Sequence, residues 1–231
     1  MLQIFADKGL VFPVHSNKFK IGINGLSSST EDMTIIRGLE TFSPSIEGQV
    51  ENWFAMDEEG WQRSLVTGKA LSFAFSGKRQ VGDAGNDYVF SKALSTGTDC
   101  NSLFEWEMPS GSVLQFDCVI NVTVPGGGDT TNVDSLEFEL YCDGKPKFLE
   151  AQVPPTGLTG VKPTTEDGID GKISGTTTAM EFRTTGSSVY ADCTATNTTV
   201  GAAGTYYVRF AATDTKLASN DTTVVVPVYS A

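Results

Sequence analysis

The sequence contains one histidine, His15, and little else that catalytic or metal sites usually need. A Ser-His-Asp or Cys-His arrangement would have to be built from an N-terminal arm, which is an unfavourable place for one. The four cysteines show no CxxC pair and no metal-ligand spacing; they are Cys100, Cys118, Cys142 and Cys193. The sequence therefore predicts no catalytic residue, no metal and no cofactor, and it predicts four reduced structural thiols.

Long hydrophobic runs are also missing. No stretch approaches the ~20 consecutive apolar residues of a membrane span. The first seven residues, MLQIFAD, lack the basic start and long apolar run of a secretory signal. We therefore expect a chain without a membrane anchor that is made in a cytosol.

Basic residues are few, with 16 Lys and Arg against 28 Asp and Glu, giving a net charge of −12. A protein that grips nucleic acid through its phosphates needs a basic surface, so this function class is excluded. The same charge is compatible with a protein that must avoid sticking to DNA.

Apolar residues make up 39% of the 231 residues, and glycine is plentiful, which is typical of a folded, β-rich chain. The composition changes near residue 150. Residues 1–150 carry 11 basic and 21 acidic residues, and residues 151–231 carry five and seven. We predict a first domain over 1–150, a linker over 151–157 that contains Pro154 and Pro155, and a second domain over 158–231.

Apolar and polar residues alternate with a period of two in the first domain, which predicts half-buried strands. One such run holds Leu71, Phe73 and Phe75. The runs 104–108 and 114–124 flank the turn 109–111 and predict a β-hairpin. A further run covers 136–140.

One helix is predicted over 88–94, with Asn86 or Asp87 as its N-cap, Phe90 and Leu94 on one apolar face, and Gly97 at its end. In the second domain, short β-rich runs at 172–174, 179–183, 204–210 and 222–228 predict a small sandwich of immunoglobulin or fibronectin type III character. The predicted fold class is thus mainly β, a β-sandwich or barrel with one flanking helix plus a C-terminal β-sandwich.

Carboxylates recur on the polar sides of the predicted strands. If these strands lie in one sheet, they form an acidic, lysine-free face; the carboxylates are Glu105, Glu107, Asp117, Glu137 and Glu139. Two of them could serve a glycosidase, whose acid and base lie ~5–9 Å apart. A solvated sheet surface is the simpler interpretation, and such a face would disfavour DNA binding through like-charge repulsion.

Several ordered blocks resemble the major tail tube protein of long-tailed bacteriophages, over roughly residues 18–147. They are 23–25 (ING) through 31–33 (EDM), 56–69 (MDEEGWQRSLVTGK), 76–79 (SGKR), 82–89 (GDAGNDYV), 104–106 (FEW) to 143–146 (DGKP), and the loop 125–129 (PGGGD). The stretch 204–219 is similar to repeats of bacterial surface proteins with immunoglobulin-like domains.

The resemblance implies a non-enzymatic β-sandwich that assembles into hexameric rings, which stack into a hollow tube for DNA ejection. It implies a virion protein that is assembled in the host cytoplasm, with tail terminator, tape measure and distal tail proteins as partners. Because the lumen of that family is acidic, we expect the five carboxylates to line a channel through which DNA passes without specific binding. The second domain is expected to project outward and to contact host-surface glycans weakly.

Assembly requires exposed apolar surface. The N-terminal arm 1–17 and the segment 41–59, which we expect to be a loop, combine apolar with acidic residues. The predicted interface residues are Phe5, Phe12, Phe42, Trp53, Phe54 and Met56. Equally, Trp53 and Trp61 could complete the core.

Two other function classes stay open at this stage. A bacterial-surface adhesion or carbohydrate-binding module would act through the second domain and would be a monomer. A hydrolase would use the paired carboxylates.

Overall fold

A computed structural model describes residues 11–230. The chain is mainly β, as predicted, and it divides into two compact units. One unit contains Phe12–Pro109 and Val113–Lys147, and the other contains Ser110–Ser112 and the chain from Phe148 onward.

The larger unit contains seven antiparallel strands and one α-helix. The strands are β1 (Lys18–Gly22), β2 (Met33–Ile35), β3 (Leu39–Phe54), β4 (Gln62–Lys78), β5 (Asn101–Glu107), β6 (Val113–Val124) and β7 (Ser135–Cys142), and the helix is α1 (Ala84–Ser91). Short 3-10 turns cover Val14–Ser16, Gly25–Ser27, Thr30–Asp32, Met56–Glu58 and Gly97–Cys100. The strands lie in the order β2-β1-β5-β6-β7-β4-β3. The short strand β8 (Lys147–Leu149) lies at the boundary between the units.

The predicted hairpin is confirmed, because β5 pairs with β6 across the turn 109–111 in the register Phe104↔Phe116. The alternating apolar residues of five strands form one core, to which Phe73, Phe104 and Phe138 contribute fully buried rings. Phe19 of β1 lies 4.7 Å from Phe42 of β3, ring centroid to ring centroid, although these strands are far apart in the sheet order. The sheet therefore curls around its apolar face, and its polar face points outward.

The helix is real but begins earlier than predicted. Its N-cap is Asp83, whose side chain accepts a hydrogen bond from the backbone N–H of Asn86. Asn86 is instead fully buried as a hydrogen-bonding hub, so both predicted caps were wrong. The predicted apolar face was wrong as well, because Val89 is buried whereas Phe90 and Leu94 are exposed.

The smaller unit contains two antiparallel sheets. Its strands are β9 (Thr159–Val161), β10 (Gly171–Thr176), β11 (Met180–Thr184), β12 (Ala191–Asp192), β13 (Thr196–Gly201), β14 (Gly204–Phe210) and β15 (Thr222–Val226). They form a three-stranded sheet, β13-β10-β9, and a four-stranded sheet, β12-β11-β14-β15. Ile173 of the first sheet and Val208 of the second share one core. This two-layer arrangement fits the predicted sandwich, and its immunoglobulin-like character stays a prediction.

Candidate functional site

The outward side of the curled sheet, which we call the polar face, brings together all five predicted carboxylates. Cross-strand register puts them on one side, since Lys20 pairs with Glu105, Glu105 with Gln115, and Asn121 with Glu139. Directly opposed residues of antiparallel strands share a face. The polar face consists of Lys18, Lys20, Glu105, Glu107, Gln115, Asp117, Asn121, Glu137 and Glu139.

The prediction of a lysine-free face was wrong. Strand β1, which the alternation did not reveal, lies beside β5 and adds two lysines to the polar face. Lys20 Nζ lies 2.6 Å from Glu105 Oε1 and 3.3 Å from Glu107 Oε2, and Lys18 Nζ lies 2.6 Å from Glu107 Oε1. Four alternating charges thus form a ladder across two strands, which we call the charge ladder.

The charge ladder raises the pKa of Lys20 and lowers the pKa of Glu107. Burial of Lys20 disfavours its charge, but the hydrogen bond from its ammonium group to Glu105 and the charge of Glu107 outweigh this and raise the pKa of Lys20. Partial burial likewise opposes ionisation of Glu107, yet the hydrogen bond from Lys18 and the charge of Lys20 lower its pKa. The ladder therefore holds both groups in their charged forms.

The remaining three carboxylates are placed differently. Asp117 is exposed, the Ser76 hydroxyl lies 3.4 Å from Glu137, and Glu139 accepts hydrogen bonds from Asn121 and Tyr141. Among residues 11–230, no Lys or Arg nitrogen lies within 4 Å of these three carboxylates. We call them the uncompensated trio, because the negative charge of the polar face is concentrated there.

The second feature is a two-stranded extension of the sheet. Strand β4 pairs with β7 only over Ser72–Lys78, whereas its pairing with β3 continues to Gln62↔Phe54. Residues 46–54 and 62–71, with the connection 55–61 at the tip, therefore project beyond the sheet as a ribbon, whose paired strands are about 25 Å long at ~3.3 Å per residue. The segment 41–59, predicted as a loop, is mostly strand.

The ribbon exposes large apolar side chains on both sides. Trp61 is 77% exposed, Phe54 67% and Trp53 41%, and Met56 is fully exposed. The interpretation that Trp53 and Trp61 complete the core was therefore wrong. A two-stranded ribbon of this kind is marginally stable in water by itself, and its exposed apolar surface is typical of an interaction site.

The other predicted interface residues lie elsewhere. Phe42 packs into the core against Phe19 and Trp106, and Phe12 is exposed near the start of the described chain. Phe5 lies outside the described residues. The predicted interface set is thus divided between the ribbon, the core and the N-terminal segment.

The four cysteines are free thiols, and Cys118 is buried on the apolar side of β6. Burial raises the pKa of the Cys118 thiol far above its ordinary range. In residues 11–230, no group of three or more His, Cys, Asp or Glu side chains is placed to hold a metal ion. Within the same residues, no helix is long and apolar enough to cross a membrane.

No family model matches the chain, and no curated protein matches it. Among solved structures, a chain titled as the tail of an empty gene transfer agent (GTA) particle, with C6 symmetry, is similar at 16% identity and a TM-score of 0.47, over 60% of this chain and 98% of that one. A chain from the virion of a native GTA particle is similar at 15% identity and a TM-score of 0.46, over 60% and 98%. The SPP1 Dit protein, titled a paradigm of the hub adsorption apparatus in phages that infect Gram-positive hosts, gives 12% identity and a TM-score of 0.27, over 83% and 78%.

Proposed function

We propose that the chain is a structural, non-enzymatic subunit of a phage tail tube. In this proposal it polymerises as hexameric rings that stack into a hollow conduit for DNA ejection. The class of protein comes from the resemblance of the blocks between residues 18 and 147, and the chain's own geometry supports it at two places.

The exposed apolar surface of the ribbon is the main support for this proposal. The ribbon extends two strands about 25 Å beyond the sheet and exposes Trp53, Phe54 and Trp61 to water. A subunit that polymerises needs exposed apolar surface to bind its neighbours. We therefore assign the ribbon, rather than Phe42, to subunit contacts.

The polar face supports the second part of the proposal. A tube that conducts DNA must not bind its phosphates, and like charges on the wall prevent binding. We propose that the polar face lines the lumen. The uncompensated trio repels DNA there, while the lysines of the charge ladder neutralise Glu105 and Glu107.

The wider setting follows from this role. We propose that the protein is part of the virion, that it assembles in the host cytoplasm, and that tail terminator, tape measure and distal tail proteins bind the tube. We further propose that residues 1–150 form the tube domain and that residues 158–231, after the linker 151–157, form an outward domain that contacts host-surface glycans weakly.

Negative-stain microscopy of the purified full-length chain tests the proposal. Rings or tubes with sixfold symmetry support it. A chain that stays monomeric under all conditions and binds on a glycan array would overturn it in favour of the adhesion module.

A further inference from the structure

An apolar groove with a basic rim lies at the base of the ribbon. It has a volume of about 630 Å³, and its lining combines the apolar residues Ile46, Leu71 and Pro146 with the exposed lysines Lys69 and Lys145. We call it the basal groove. In residues 11–230, neither lysine has a carboxylate oxygen within 4 Å. In a chain with a net charge of −12, a groove with two uncompensated cations is unusual.

The tip of the ribbon has the complementary character. Its apolar side chains, Trp53, Phe54 and Met56, are exposed beside carboxylates at Glu51, Asp57 and Glu59. Arg63 forms an ion pair with Glu58, so the cation at the tip is already engaged. The tip is therefore apolar and acidic, whereas the basal groove is apolar and basic.

The tip does not reach the groove of its own chain. Ile46 and Leu71 are opposite each other at the base, and Phe54 and Gln62 are opposite each other near the tip. Eight residues of extended strand separate the two places, about 25 Å at ~3.3 Å per residue. Any contact between tip and groove must therefore join two copies.

We propose that the ribbon tip of one copy docks into the basal groove of a second copy. The proposal rests on the proposed self-assembly and identifies the two surfaces that meet. Because the tip and the groove are different patches, the contact is head to tail, and a row of copies keeps one free tip at one end and one free groove at the other. Head-to-tail contacts that do not close into a ring can continue without limit, as the stacking of successive rings requires.

Two charge-reversed variants of the full chain test the pairing. The groove variant is Lys69→Glu with Lys145→Glu, and the tip variant is Asp57→Lys with Glu59→Lys. A control, Lys172→Glu with Lys216→Glu, makes the same charge change as the groove variant at exposed positions of the smaller unit. Sedimentation velocity and electron microscopy follow assembly, and circular dichroism checks that each variant is folded.

We expect the control to assemble like the wild type and each of the two test variants to lose at least tenfold in assembled mass. We expect a mixture of both test variants to recover assembled mass, because the basic tip of one then meets the acidic groove of the other. A groove variant that assembles like the wild type, or a mixture with no recovery, would overturn the pairing. A wild type that never assembles would instead overturn the proposed function.

Discussion

Lys20 Nζ lies 2.6 Å from Glu105 Oε1 on a sheet face that is otherwise dominated by carboxylates. Glu105 is the most buried of the five predicted carboxylates, with a side chain only 12% exposed. Lys20 therefore does more than neutralise a surface charge: it gives a nearly buried carboxylate its ion-pair partner within the sheet. Removing one partner of a buried ion pair is strongly destabilising, because the other charge is left buried without a partner.

Replacing Lys20 should therefore destabilise the larger unit. For Lys20→Gln we expect a loss of about 1–3 kcal/mol in the free energy of unfolding, because Glu105 loses a charge-assisted hydrogen bond. Lys18→Gln is the matched control: the Lys18 side chain is 53% exposed, so its loss should cost below about 1 kcal/mol. Urea unfolding followed by tryptophan fluorescence measures both, since all three tryptophans lie in the larger unit. Equal losses of unfolding free energy in the two variants would contradict the claim that burial makes the Lys20–Glu105 pair the more important one.

The charge ladder should also make stability depend on pH. The pKa of Glu107 is lowered in the folded chain, chiefly because Lys18 and Lys20 outweigh its burial. Its contribution is complete above the ordinary glutamate pKa and is lost as the pH falls through the lowered value. Glu107→Gln should therefore flatten the acid limb of a plot of unfolding free energy against pH. An unchanged slope below pH 5 would show that Glu107 is not coupled to the lysines.

Asn86 is the hydrogen-bonding hub of the larger unit. Its side-chain oxygen accepts from Arg79 and the Gln80 N–H, and its amide donates to the carbonyls of Arg37 and Lys78. Asn86→Ala leaves several buried polar groups without partners, so we expect a loss of about 2–4 kcal/mol. The exposed Asn132→Ala is the control and should change stability by below about 0.5 kcal/mol. A small effect at Asn86 would mean that water replaces the hub.

Gly85 lies in the first turn of α1, where alanine would ordinarily favour the helix. A Cβ at this position would lie 2.4 Å from the carbonyl oxygen of Ile35, however. We expect Gly85→Ala to lower the free energy of unfolding by about 1–3 kcal/mol through the forced shift of β2. Gly204→Ala is the control, since no heavy atom lies within 4 Å of its added Cβ. Stabilisation by Gly85→Ala would contradict the close packing.

The uncompensated trio should control how the assembled protein treats DNA. Asp117→Asn, Glu137→Gln and Glu139→Gln together remove the negative charges that no lysine offsets, so more duplex DNA should co-sediment with the assembled protein at low salt. Neutralising Glu166, Asp167 and Asp192, which are exposed in the smaller unit, removes the same charge and should leave DNA retention unchanged. Equal DNA retention in both variants would show that the net charge of the protein, rather than the polar face, determines how much DNA is retained.

Local alternation was sufficient to predict much of the fold. The pattern of Phe104, Phe116 and Phe138 identified three strands and the face that each buries, because a half-buried strand repeats every two residues. The predicted N-caps of the helix were wrong for a definite reason. Asp83 caps the helix, and tertiary contacts, rather than helical periodicity, bury Asn86. The sequence also contained no signal that Lys18 and Lys20 pair with Glu107 and Glu105, since that register depends on chain segments 85 or more residues apart.

The strands of the ribbon could not be predicted from the alternation of apolar and polar residues either. Residues 41–59 lack regular alternation because the ribbon has no buried side, and a strand that is exposed on both faces leaves no period in the sequence. Their apolar content was nevertheless a usable signal, and Trp53, Phe54 and Met56 were singled out from it. Phe42 shares that content but lies where β3 still belongs to the sheet, so it packs inward.

Cryo-electron microscopy of the assembled full-length chain tests the central proposal most directly. The expected result is a hollow tube of stacked hexameric rings in which Asp117, Glu137 and Glu139 face the lumen. A tube in which these side chains lie on the outer surface or between subunits, or an absence of any assembly, would contradict it.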